Sequence, residues 1–438
     1  MPSPHFLRSV ALLLALPALL VASDPRLDYL VYGPGPMPDR IVLTWTGDPA
    51  TSQAVTWRTS VDAGEPLAQI ARASATPTYR DVVGFADSAR TVVPATVRLQ
   101  ADLGRALYHS AEFTGLEPET LYAYRVGHGD TWSEWFHFRT ASREAKPFSF
   151  AYFGDAQNDV RSQWSRVIRQ SYAGNRGLRF FLHAGDLINH ADSDAEWGEW
   201  NAGAGWLNGM LPSVPTPGNH EYAKEDDVRR ISRHWRPQFA LPTHGPAGLE
   251  EATYFIDYQG VRLVSLNSNE MIAEQVPWLE RVLSDNPNRW TVLTFHHPIF
   301  SAARNRDNEE LRELWLPVID RHGVDLVLQG HDHTYGRTGN IAQGSTVRDE
   351  ARGTVFVVSV SGPKMYRSQE HRLMRRLGED TQLYQVISVD GDSLAYRAYT
   401  AVGELYDAFD LHKRRDGTNR LVEVQPEVEA RRRPPEGD

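Results

Sequence analysis

Between Ile41 and Thr140 apolar and polar positions alternate in short runs. "IVLTWTG", "QAVTWRT", "ATVRLQADLG", "YHSAEFTGL", "TLYAYRVG" and "EWFHFRT" are rich in β-branched and aromatic residues, poor in helical periodicity and separated by turn signals. That spacing predicts an all-β sandwich of about a hundred residues. Its histidines, His109, His128 and His137, stand alone on strands or turns. Isolated in this way they read as packed or solvated side chains.

After the polar stretch "ASREAKP", which ends in Pro147 and marks a boundary, the pattern changes. Apolar runs such as "FSFAYFGD", "LRFFLHAGD", "WTVLTFHHP" and "VDLVLQGHDH" alternate with stretches in which apolar residues recur every three or four positions. "VRSQWSRVIRQSY", "QVPWLERVLSDN" and "EELRELWLPVIDRHG" are such amphipathic helices. Strand–helix alternation predicts an α/β domain with largely buried sheets. "GTVFVVSVSG", "YQVISVDGD" and "LAYRAYTAVGEL" follow as meander strands, and the polar end from Arg414 is expected to fray.

Composition adds three constraints. "VALLLALPALLVAS" behind Arg8 has the form of a secretory leader over residues 1–23 and is short for a membrane span. The expected location is therefore outside the cell or in the periplasm, with no stable span after leader removal. The chain has no cysteine, so any metal must be held by nitrogen and oxygen. A net charge of -10 argues against nucleic acid as the main partner. The basic run Arg431–Arg433 lies in a Pro- and Glu-rich end and reads as a solvated tail.

Polar residues collect in one kind of place. Five segments, "GDAQ" (154–157), "GDLIN" (185–189), "GNHE" (218–221), "HHP" (296–298) and "GHDH" (330–333), each follow an apolar run. Sites in α/β sheets form outside the carboxyl ends of strands, so distant segments can converge there. Together they offer Asp155, Asp186, Asn219, His296, His331 and His333, with Gln157 as a further amide donor. That inventory exceeds the needs of one cation and suits two that share a carboxylate. Side chains at i and i+2 project to one side of an extended or turning segment, so His331 and His333 can reach separate ions about 3.5–4 Å apart.

The ordered set GD…GD…GNHE…HHP…GHDH resembles the calcineurin-like metallophosphoesterase superfamily, and more narrowly the purple acid phosphatase type. "IVLTWTGDPATSQAVTWRT" and "GLEPETLYAYRVG" resemble the fibronectin type III-like domain that precedes the catalytic domain in such enzymes, and "ELYDAFDL" resembles the family's last strand. The resemblance implies a four-layer α/β/β/α sandwich over 147–412, an all-β fibronectin III-like sandwich over 27–140, and a disordered tail over 414–438. It implies two metal ions (Fe, Zn or Mn) with Asp186 bridging. Asp155 and His333 would bind the first ion; Asn219, His296 and His331 would bind the second. His220 would touch the substrate phosphate or pass a proton to the leaving group. His297 is open to substrate contact or structural support, and Arg337, Arg304 and Asn305 to phosphate contact or, for the last two, plain solvation.

The chain departs from the family's pattern at two positions. Asn189 stands where purple enzymes place a metal-bound tyrosine, and Gln157 stands where many relatives place a histidine. A neutral amide is a weaker donor, so a colourless centre is expected. The expected activity is hydrolysis of small phosphate monoesters by a metal-activated water, as in an acid phosphatase. A phosphodiesterase with the same centre, or a binding protein with a degraded centre, are the alternative readings. Of the other polar or aromatic residues, His183 and Tyr335 read as buried support. Trp197, Trp200 and Trp206 read as aromatic core or as the lining of an approach.

Overall fold

The computed structural model of the chain describes residues 25–347 and 352–434; the leader expected over 1–23 lies outside them. The first β-rich region forms two facing sheets. One carries Asp39–Thr44, Gln53–Ser60, Gly104–Phe113 and Ala95–Ala101 in that order. The other carries Arg90–Val92, Leu67–Arg72, Leu121–His128 and Thr131–Trp132, with Phe136–Arg139 also paired to 121–128. Strand alternation sends Leu43, Val55, Trp57, Ile70, Phe113, Tyr124 and Phe138 into the shared core.

Two seven-stranded sheets, flanked by two small two-stranded ribbons, dominate the remainder. In the first, Ser213–Pro215, Leu178–His183 and Phe148–Phe153 run parallel, then Leu383–Asp390, Ser393–Thr400, Leu405–Lys413 and Asn419–Val424 continue as an antiparallel meander. In the second, Val261–Ser265, Trp290–Thr294, Leu326–Gln329 and Val355–Val358 are parallel and central.

The two-residue period explains how the layers stack. Leu263, Val292, Leu326, Leu328, Val355 and Val357 point into the space between the sheets. Their neighbours Val264, Leu293, Val327 and Phe356 point outward, onto helices Gln275–Ser284 and Glu309–His322. Those helices return Trp278, Leu279, Val282, Leu311, Trp315 and Ile319 at helical spacing. Helix Ser165–Gly174 covers the first sheet with Val167 and Ile168. The result is the expected four-layer α/β/β/α sandwich behind a β-sandwich.

Two details differ from expectation. Residues 419–424, expected in a frayed tail, form the edge strand of the first sheet. Leu421 is buried, and the Asn419 side-chain amide donates to Asp325 at 2.9 Å. "ELYDAFDL" is therefore followed by one more strand. Helix Asp194–Ala204 was not foreseen as a helix.

Candidate metal centre

The carboxyl ends of five strands, three from the first sheet and two from the second, meet in one place. Asp155 follows Phe148–Phe153, Asp186 follows Leu178–His183, and Asn219 follows Ser213–Pro215. His296 follows Trp290–Thr294, while His331 and His333 follow Leu326–Gln329. The glycines in these segments permit the close approach. A Cβ on Gly218 would lie 2.2 Å from Asp186 Oδ1, and one on Gly330 would lie 2.7 Å from Asp155 Oδ2.

Asp155, Asp186, His331 and His333 have φ of 29°, 52°, 73° and 49°. Left-handed backbone at non-glycine residues costs about 1–3 kcal/mol each and collects at functional sites. His331 and His333 are therefore divided by tight left-handed turns, not by the pleat of an extended segment. His331 faces Asn219 and His296, while His333 faces Gln157.

Backbone carbonyls orient two imidazoles. His296 Nδ1 donates to Ala184 O at 2.9 Å, which leaves Nε2 within 3.1 Å of both Asn219 Oδ1 and Asp186 Oδ2. His333 Nδ1 donates to Lys364 O at 2.8 Å, and its Nε2 lies 3.9 Å from Asp155 Oδ1. His331 Nδ1 is 3.0 Å from Asn219 Oδ1 and 3.1 Å from His296 Nε2. The backbone N–H of His331 donates to Asp155 Oδ2 at 2.6 Å. Gln157 Nε2 donates to Asp186 Oδ2 at 2.8 Å and lies 3.1 Å from His333 Nε2. A half-turn of that amide would bring Oε1 to the same point.

Burial and mutual charge set the protonation pattern. Burial drives the Asp155 carboxyl well above its ordinary value; His296 opposes this and the Asp186 charge adds to it. Burial also works to raise Asp186, but His296 and His220 prevail and hold it well below the usual range. His296 is pushed up to about 9, because Asp186 and Asp155 outweigh its burial. Burial lowers His333 to about 4 and His297 to about 3, and it lowers His331 further with help from His296, His297 and Arg306. Three imidazoles thus keep a lone pair free at neutral pH.

Asp155 Oδ1 and Gln157 Oε1 are buried without a hydrogen-bond partner. Such an oxygen in a low-dielectric interior is costly unless a cation meets it. Asp155, Asp186 and His296 offer ligand atoms close enough to share one ion, as do His296, His297 and His331. The donor set, carboxylate, imidazole and amide without thiol, fits divalent or trivalent first-row cations.

Other residues singled out in the sequence fall as follows. The His220 backbone N–H donates to Asp186 Oδ1 at 2.9 Å and its Nδ1 donates to Asn189 O at 2.6 Å. Its ring borders a cavity of about 530 Å³ shared with Asn189, His190, Asp192 and Tyr222. His297 packs on His331, with ring centroids 4.2 Å apart, and its Nδ1 is 2.9 Å from Ser268 Oγ. The Asn189 side chain turns to Asn158 and His190.

Arg337 must be reassigned. Expected at phosphate, it is buried instead and held by Asp407 at 2.6 Å and Glu423 at 2.8 Å, because strand Tyr335–Thr338 points it between the sheets. Tyr335 donates to Asp407 as well. Arg304 and Asn305 are exposed. Trp197 and Trp200 are core, whereas Trp206 is 51 % exposed.

Two positioning acids lay unread inside the quoted motifs. Glu221 accepts from the backbone N–H groups of Asp186, Leu187 and Gly218 at 2.8, 2.8 and 2.6 Å, tying two of the loops together. Burial, then the Asp186 charge, raises it to about 7. Asp332 accepts from Ser301 Oγ and the Ala302 and Ala303 amides, and so anchors the turn between the two histidines.

A double-sheet α/β sandwich whose strand ends bring carboxylates and imidazoles together defines a metal-dependent hydrolase. Residues 148–335 match the calcineurin-like phosphoesterase family, and residues 38–140 match the N-terminal domain of purple acid phosphatases. The chain belongs to the calcineurin-like phosphoesterases of purple acid phosphatase type and is a metal-dependent phosphoesterase.

Among its relatives, an uncharacterized protein of Mycobacterium tuberculosis is 27 % identical over 78 % of this chain and 73 % of its own length. Acid phosphatase type 7 of Mus musculus is 26 % identical over 68 % and 70 %. Purple acid phosphatase 21 of Arabidopsis thaliana is 30 % identical over 52 % and 53 %. The purple acid phosphatase PPD1 of yellow lupin shares the fold with a TM-score of 0.73 at 17 % identity, covering 88 % of this chain and 76 % of that one.

Proposed function

We propose that the protein is an exported acid phosphatase that hydrolyses small phosphate monoesters with water at a dinuclear centre. Asp186 would serve both ions, Asp155 and His333 would hold the first with Gln157 beside them, and Asn219, His296 and His331 would hold the second. The observation that carries this reading is the convergence of these side chains around buried oxygens, Asp155 Oδ1 and Gln157 Oε1, that lack any donor. Two such ions supply Lewis acidity toward phosphoryl oxygens and lower the pKa of an attacking water.

The chain's own groups do the rest. Carbonyls of Ala184 and Lys364 fix the tautomers of His296 and His333, so each presents Nε2. His220, fixed through Nδ1 to Asn189 O, directs Nε2 at the leaving-group oxygen and gives it a proton. With Asn189 turned to Asn158, no tyrosinate joins the first ion and the loaded enzyme is colourless. Export is supported by the leader sequence, and among the described residues no helix is long and apolar enough to cross a membrane.

The test is metal content of the purified protein together with turnover of p-nitrophenyl phosphate and of its bis-ester. Two ions per chain, monoester preference, no visible charge-transfer band and a loss of about a thousandfold or more in Asp186→Asn are expected. Preference for the bis-ester would make it a phosphodiesterase. Absence of both metal and turnover would leave a binding protein.

A further inference from the structure

Beside the metal centre lies a basic and aromatic cluster that the hydrolytic reading does not use. Tyr366 packs its ring on His333, with centroids 4.7 Å apart, and its backbone N–H donates to His333 O at 3.0 Å. Arg306 lies 4.8 Å from the same ring's centroid and Lys364 lies 5.6 Å from it. Arg306 Nη1 also donates to His331 O at 3.1 Å, and Lys364 O receives the His333 Nδ1 proton. Arg306 is thus tied through its guanidinium, and Lys364 through its backbone carbonyl, to the loop that bears the two histidines.

On its other side Arg306 lines a cavity of about 640 Å³ together with Asp307, Arg312, His371 and Arg372. Arg312 is paired with Asp307 at 2.6 Å, whereas the nearest carboxylate oxygen to Arg306, Asp332 Oδ1, lies at 3.9 Å.

We propose that Arg306, Lys364 and Tyr366 form a second-anion subsite that selects phosphoesters carrying another phosphoryl group. The deduction rests on the phosphoesterase reading and names the substrate class of that site. The scissile phosphoryl group sits at the metal ligands, and the distal one meets Arg306 and Lys364 over the Tyr366 ring. A guanidinium held by a carbonyl and an aromatic face is already oriented, so little freedom is lost when it binds.

The experiment compares kcat/KM of the metal-loaded protein for a sugar bisphosphate and the matching sugar monophosphate, with p-nitrophenyl phosphate as a third substrate. The wild type is expected to favour the bisphosphate about tenfold, the effect of one good charge-assisted contact. Lys364→Met and Arg306→Gln should each remove most of that advantage through KM. Because Arg306 touches the His331 carbonyl, its metal content is measured in parallel; Lys364→Met, whose side chain is not bonded to a ligand loop, keeps the test decisive if Arg306→Gln misfolds. Equal rates on the two sugars in the wild type, or an advantage that survives Lys364→Met, overturn the subsite alone. No turnover of any of the three substrates brings down the phosphoesterase reading, and the subsite with it.

Discussion

Glu221 shows how much of the candidate metal centre is built by residues other than its candidate ligands. Its two oxygens collect three backbone N–H groups from the loops of Asp186 and Gly218, so both loops share one buried anchor. Glu221→Gln puts an NH₂ against one of those donors. The expected outcome is a metal affinity lower by about 10–100-fold with the fold retained, read by metal titration and circular dichroism. His183 makes the opposite case. It stacks on Phe153 at 5.5 Å, its Nε2 has no partner, and burial lowers it to about 3. The folded state keeps it neutral while the unfolded chain takes a proton below about 6.5, so its stabilising effect is full above that pH and is lost as pH falls toward 3. Replacing His183 with Phe should flatten the acid limb of a stability–pH profile by up to about one proton per molecule, as measured by chemical denaturation across that range.

At the scale of elements, most strands were legible, but helices Pro25–Tyr32 and Asp194–Ala204 were not. Two-residue alternation and β-branched content marked the sheets, and three-to-four residue recurrence marked helices Gln275–Ser284 and Glu309–His322. Helix Asp194–Ala204 lacks such a stripe because it is enclosed on several sides, burying Trp197, Gly198, Trp200 and Gly203 together. A local signal was present all the same. Ser193 accepts from Glu196 N at 3.3 Å, the Ser-x-x-Glu pattern of a helix start. Ser193→Ala should cost about 1 kcal/mol in a denaturation experiment. The edge strand Asn419–Val424 was hidden for another reason. Its polar residues are compatible with an exposed edge, and only pairing with Leu405–Lys413 makes it a strand.

Across the whole molecule, the two β-rich units are joined through Asp194. Arg40 and Arg58 from the first sandwich reach its two oxygens at 2.6 and 2.9 Å, and His234 approaches at 3.1 Å. Burial works to raise the Asp194 carboxyl, but His234, Arg40 and Arg58 hold it well below the ordinary range. A depressed carboxyl stabilises the fold above its unfolded pKa near 3.9, and that contribution is lost as pH falls further. Asp194→Ala leaves the buried Arg40 guanidinium without its carboxylate, while Arg58 keeps Asp39 at 2.6 Å, so a loss of about 3 kcal/mol is expected at neutral pH, shrinking on acidification below pH 4. Denaturant midpoints of both proteins at pH 7 and pH 3.5 check both parts.

The order of the five motifs, the side-chain types they carry and the strand-then-acid arrangement could be read from the chain because each is a local property. Alternation fixes which faces are buried, and an acid, amide or imidazole after an apolar run must emerge at a strand's end. What the sequence alone left open was direction in space. Arg337 has the composition of a phosphate ligand, but its strand aims it between two sheets at Asp407. Arg306, Lys364 and Tyr366 carry no motif, and only the folding of two distant loops brings them beside His333. Those assignments depend on packing between remote segments, which a one-dimensional pattern does not contain.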